Sequence, residues 1–138
     1  MIGVKKPSAN TVSSIVLDTS AVLALLFGEL GADKAIARGR DGIMSTVSYS
    51  EAVAKSLDRK VPMETIAQSL ASLRLALVPF DTDHALAAAA LRPSTRHLDF
   101  SFADRVCLAT ASIHKLPLLT ADRDWLKVDL GIKIHLIR

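Results

Sequence analysis

Ile15-Val16-Leu17-Asp18-Thr19-Ser20-Ala21 is the stretch on which the reading of the fold turns. Three consecutive apolar residues with no polar alternation are what a strand covered on both faces requires, and such strands belong to parallel sheets flanked by helices. The run stops at a carboxylate. A helix is expected to follow at once, capped by Ser20 and built from the alanine and leucine of residues 21–27 until Gly28 and Gly31 break it.

The rest of the chain repeats this alternation. Residues 32–39 predict a second helix, 42–46 a second strand, and 47–59 a helix, with another opening at Pro62 as its first residue. Residues 77–80 read as a short edge strand and 81–91 as an alanine-rich helix. Residues 92–100, with Pro93, Ser94 and Thr95, read as a loop. Ser101 is expected to cap a helix running to about His114. Residues 116–120 form a third buried strand ending near Asp122, and residues 132–137 a last one. This order predicts an α/β fold, a three-layer α/β/α sandwich around a central parallel sheet of four or five short strands. Residues 14–138 make that domain, while residues 1–13, with Pro7, Ser8, Asn10 and Ser13, read as a flexible leader.

Bulk properties exclude several classes. A chain of 138 residues, 50% of them apolar, buries one core without staples. The net charge of +3 suits an anionic partner without demanding one. Cys107 is the only cysteine, which rules out an internal disulfide, a cysteine zinc cluster and a C-x-x-C pair, and fits a reducing cytoplasm. Lys5 and Lys6 ahead of the apolar residues 15–27 mimic a secretory signal, but Asp18 interrupts the run and no small-residue cleavage pattern follows Phe27. Nowhere do about 18 uninterrupted apolar residues occur, so no membrane span is expected. His84, His97, His114 and His135 show no H-E-x-x-H spacing, and no phosphate-binding glycine loop is present, which argues against a zinc hydrolase and the usual nucleotide binders.

The chemistry concentrates in acids. Ligands of open α/β sheets bind outside the carboxyl ends of the strands, where Asp18 and Asp122 fall, although each also has a plain reading as a helix cap. Asp104 shares a helical face with Cys107, Leu108 and Ala111, the face expected to turn inward; its plain reading is as a partner of the helix dipole. Glu51 lies on the side of Val47 and Ala54. Four carboxylates drawn to one end of the sheet would hold Mg²⁺ or Mn²⁺, hard cations that prefer oxygen. Such a site acidifies a water, orients it for in-line attack on a phosphodiester and stabilises the leaving oxygen. Without metal, at least one carboxyl pKa should rise.

L-D-T-S-A at 17–21, S-E-A at 50–52, F-A-D-R-V-C-L-A-T-A at 102–111 and L-T-A-D-R-D-W at 119–125 resemble the PIN-domain nucleases, and within them the VapC toxins of type II toxin–antitoxin systems. The resemblance runs from Ile15 onward and keeps the order and spacing of the four acids. It implies metal-binding and catalytic roles for Asp18, Glu51, Asp104 and Asp122, with Thr120 and Ser20 as supporting hydroxyls. Ser48 stands where the family commonly has asparagine, and its hydroxyl is expected to replace part of that hydrogen bonding as a third supporting group. Arg96 and Arg105, near the catalytic helix in sequence, are candidates for holding RNA phosphate, or else solvated surface. The resemblance further implies an endoribonuclease acting on RNA, a cognate VapB-type antitoxin, operator DNA contacted only through that antitoxin, and a homodimer. Residues 22–30, apolar nearly all round, offer either core or a groove for a partner helix.

Competing readings are weaker. A phosphoacceptor fold of receiver or haloacid-dehalogenase type would want a second acid where Ser20 stands, and Cys107, with no base partner in sequence, reads as core. DNA or flap nucleases carry insertions this chain lacks. A non-catalytic RNA-binding or scaffold domain would gain nothing from four negative charges facing phosphates.

Overall fold

The computed structural model describes residues 14–138; the expected leader, residues 1–13, lies outside the described residues. Five short strands form one sheet: β1 (Val16–Leu17), β2 (Ile43–Ser45), β3 (Ala76–Val78), β4 (Leu118–Thr120) and β5 (Ile134–Leu136). Every pairing is parallel and the spatial order is β3-β2-β1-β4-β5. Helices α1 (Thr19–Phe27), α2 (Ala32–Gly39), α3 (Thr46–Asp58), α4 (Met63–Leu73), α5 (Thr82–Ala90), α6 (Arg92–Thr95) and α7 (Phe102–His114) connect the strands.

Alternation along the strands assigns the layers. Ile15, Leu17, Met44 and Leu119 turn to one face and pack with Ala21, Val22 and Ala24 of α1, Ala52 of α3 and Ile66, Leu70 and Leu73 of α4. Val16, Ile43, Ala76 and Leu118 turn to the other, against Cys107, Leu108 and Ala111 of α7, with Trp125 and Phe100 filling in. Both faces are therefore covered, as continuous apolar strands require. The result is the expected α/β/α sandwich, with β3 at an edge as read from the sequence. Among the described residues no helix is long and apolar enough to cross a membrane.

Local expectations were corrected at several places. Asp18, not Ser20, caps α1: its side chain accepts from the Ala21 N–H, leaving Ser20 inside the first turn. Pro62 stands at the N-cap of α4 rather than opening it. Residues 92–100 are not a plain loop, because Pro93 sits in the first turn of the four-residue α6 and Arg96–Leu98 follow as a 3-10 turn. β3 closes at Val78, before Pro79, whose missing N–H cannot extend a ladder. The α1 end is as read: Gly28 adopts φ 62° and returns its N–H to the carbonyls of Ala24 and Leu25.

Candidate active site at the turning point of the sheet

Strand order reverses between β1 and β4, since the chain runs outward from β1 to β3 and then returns to place β4 on its other side. Connections leave such neighbours in opposite directions and open a crevice at their carboxyl ends. The register Leu17 with Leu119 puts Asp18 beside Thr120 at that crevice, and the Asp18 N–H donates to the Leu119 carbonyl at 3.1 Å.

Asp18 is buried and wrapped by donors. Its Oδ1 accepts from Ser20 Oγ at 2.7 Å and from the Ala21 N–H at 3.0 Å; its Oδ2 accepts from Thr120 Oγ1 at 2.7 Å. Thr120, fully buried, in turn accepts the Asp122 N–H at 3.0 Å, and Ser20 Oγ accepts the Ala121 N–H at 2.9 Å. With Asp18 ionised, each hydroxyl gives it its single proton. The 3.2 Å approach of Ser20 Oγ to Thr120 Oγ1 is then a contact between acceptors. Burial pushes the Asp18 carboxyl up to about 6, against the pull of the Thr120, Ser20 and Ala21 hydrogen bonds, and the charge of Asp104 adds to the rise.

Asp104 comes from the first turn of α7. It forms a capping box with Ser101: its N–H donates to Ser101 Oγ at 3.2 Å, and its Oδ2 accepts the Ser101 N–H at 2.9 Å. Its pKa is raised, first by burial and then by the charges of Glu51 and Asp122, while the Ser101 bonds pull the other way. Asp122 caps the 3-10 turn Arg123–Lys127 through a 2.9 Å bond from the Asp124 N–H to its Oδ1. Glu51 is half-buried on α3, which packs against α7. Below them the Cys107 thiol is driven well above its usual range by burial and by Asp18, Asp104 and Glu51 together. It is core, as expected.

All four predicted acids thus belong to one electrostatic neighbourhood with Asp104 as its hub. Among the described residues no three His, Cys, Asp or Glu side chains stand close enough to grip one ion, and the mutual repulsion of uncompensated carboxylates opposes that closure. The donor set is all oxygen, which suits Mg²⁺ or Mn²⁺ and not a thiophilic metal.

Thr120 and Ser20, expected as supporting hydroxyls, both donate to the Asp18 carboxylate. Ser48 is buried on α3, where its backbone carbonyl accepts from Thr19 Oγ1 at 3.4 Å. Arg105 directs Nη1 to the Phe100 carbonyl at 3.2 Å and leaves a buried Nε without a protein partner; Arg96 is exposed on its 3-10 turn. What the sequence reading missed is Phe102, an exposed ring one helical position after the Ser101 cap. Its signal was an aromatic at a helix start beside an acid of the site.

The family model of the PIN domain matches residues 15–130. The chain belongs to the PIN domain family. Among solved structures, this PIN domain is similar to the DNA-bound VapBC from Salmonella typhimurium at 16% identity and TM-score 0.73, covering 91% of this chain and 98% of that one. It is similar to VapBC-5 of Mycobacterium tuberculosis, a member of the VapBC family of toxin–antitoxin systems, at 26% identity and TM-score 0.58, with the same coverages of 91% and 98%. VapC20 of Mycobacterium tuberculosis, a sarcin-ricin loop cleaving toxin, matches at 18% identity and TM-score 0.68, covering 87% of this chain and 99% of that one. Comparison with curated proteins gives no match.

Proposed function

We propose that this PIN domain is an Mg²⁺- or Mn²⁺-dependent endoribonuclease that hydrolyses RNA phosphodiester bonds as the VapC-type toxin of a toxin–antitoxin pair. The observation that carries the reading is the acid cluster centred on Asp104, with Asp18 locked by Thr120 and Ser20 at the turning point of the sheet. Such a cluster repels phosphates unless cations neutralise it, which is a poor design for a binder and a sound one for a metal-dependent hydrolase. Likeness to VapBC-5 supports the toxin reading.

Asp18, Asp104, Glu51 and Asp122 are the residues that would hold the metal. When bound, it supplies positive charge for the phosphate and Lewis acidity for the attacking water. The chain's own residues do the rest. Thr120 and Ser20 fix the plane of the Asp18 carboxylate, so that it meets its ligand without reorganising. The Ser101 N–H holds Asp104 Oδ2 and so orients that carboxylate at the start of α7.

A VapB-type antitoxin is the expected partner, with operator DNA reached only through it, and the toxin is expected to be a homodimer. Between α1 and α3 a groove of about 340 Å³ is walled by Leu23, Phe27 and Arg59, whose guanidinium lies 4.1 Å from the Phe27 ring centre, and it begins at Ser20. An arm laid there would end at the acids.

The test is cleavage of total cellular RNA by antitoxin-free protein with Mg²⁺ or Mn²⁺, with EDTA, and with Asp18→Asn or Asp104→Asn. Discrete cuts that need metal and fall by about 100-fold or more in both variants are expected. Folded, metal-loaded protein that makes no cuts would leave the non-catalytic RNA-binding reading standing.

A further inference from the structure

Between α3 and the start of α7 runs an open groove of about 530 Å³, lined by Thr46, Val47, Glu51 and Ala54 on one side and by Ser101 and Phe102 on the other. It adjoins the acid cluster twice over, through Glu51 itself and through Ser101, the capping partner of Asp104. Phe102 stands 51% exposed at its rim. The ring is nevertheless held, because Phe80 meets it at 90° with centroids 5.6 Å apart, and Phe80 packs on the buried Ala88, Val106 and Ala109. An exposed, pre-oriented aromatic beside a hydrolytic centre loses little entropy on accepting a flat ligand.

Charge identifies which part of a nucleic acid fits. Among the described residues no lysine or arginine lines the groove, so its walls offer a phosphate no side-chain cation. A base, with an uncharged π face and a polar edge, meets the Phe102 ring and the hydroxyls of Thr46 and Ser101. We propose that Phe102 is the stacking platform for an unpaired base of the RNA beside the phosphate being cut. The inference rests on the ribonuclease reading above. Stacking tolerates every base, so the contact favours single strands without choosing sequence, and specificity has to come from elsewhere in the substrate.

The experiment uses the full chain free of antitoxin, with a fluorescein-labelled mixed-sequence single-stranded RNA 12-mer and the same sequence as duplex, in Mg²⁺. Binding is followed by anisotropy with phosphorothioate-linked probes, so that they survive with Asp104 and the metal site intact, and cleavage of total cellular RNA is followed with the same proteins. Phe102→Ala should weaken single-strand binding by about tenfold or more and leave duplex binding alone. Phe102→Trp should restore binding, and its emission should be quenched as the single strand is added, over a constant background from Trp125, which is buried out of reach of RNA. Unchanged single-strand affinity in a folded Phe102→Ala protein, with wild-type cutting intact, would overturn the stack and spare the ribonuclease. A loss of dimer mass in light scattering with RNA affinity unchanged would overturn it equally, giving the ring to a protein interface. Phe102-dependent binding without any cutting would keep the platform and remove the nuclease; neither binding nor cutting would remove both.

Discussion

A carboxyl whose pKa moves from an ordinary 3.8 to about 6 on folding holds an extra proton in the folded state between those two values. Stability therefore falls as pH rises through that window, and above it the ionised, buried Asp18 costs about 3 kcal/mol. Asp18→Asn should raise the melting temperature of the metal-free protein at pH 7.5 by several degrees, and the gain should shrink towards pH 4; melts at both pH values in EDTA check this. Asparagine fits the pocket because its amide can donate to Thr120 Oγ1, freeing that hydroxyl to donate across the 3.2 Å to Ser20. Thr120→Val keeps the shape and removes both hydrogen bonds of the hydroxyl. It should lower activity about 10- to 100-fold and move the acidic limb of the pH-rate profile upward, since a bond favouring the charged carboxylate is gone. At this scale the sequence was legible where a carboxylate shares a helical side with apolar residues, as Asp104 does with Cys107, Leu108 and Ala111. Asp18, Thr19 and Ser20 are all cap formers, and which of them caps α1 is decided by where β1 ends.

At the scale of elements, site and scaffold share their parts. Asp18 caps α1, Asp122 caps the 3-10 turn after β4, and Asp104 closes the box with Ser101, so the plain reading of these acids holds and stands beside the chemical role proposed for them. Positive helix ends then ease the crowding of negative charge. Ser101→Ala should cost about 1 kcal/mol in urea unfolding and lower activity by a smaller factor than Asp104→Asn, because the Ser101 N–H still holds Asp104 Oδ2. The periodicity of α3 was readable because one face of it is buried, whereas α7, buried all round from Val106 to Ala111, was readable from its Ser101 cap. The short α6 was not, since Pro93 marks a loop and a first helical turn equally well.

For the whole molecule, the order β3-β2-β1-β4-β5 was beyond reach of local pattern, because the pairing that matters joins residues about a hundred positions apart, such as Ser20 and Thr120. Alternation of strands and helices gave the layers, but the turning point that gathers the acids is a property of the closed chain. If the cluster takes a cation, folding and binding are linked: Mn²⁺ at a hundredfold excess over its dissociation constant should add about 2.7 kcal/mol. A thermal-shift titration should show that gain in wild type and its absence in Asp104→Asn. The double duty of the capping acids also bears on inheritance. Asparagine caps a helix as well as aspartate does, and the two codons differ by one base, so a single mutation at Asp18 or Asp122 would remove a proposed metal ligand while the chain still folds. On the proposed toxin reading, lineages harmed by the activity would shed it this way before shedding the gene, leaving intact copies that could still occupy an antitoxin.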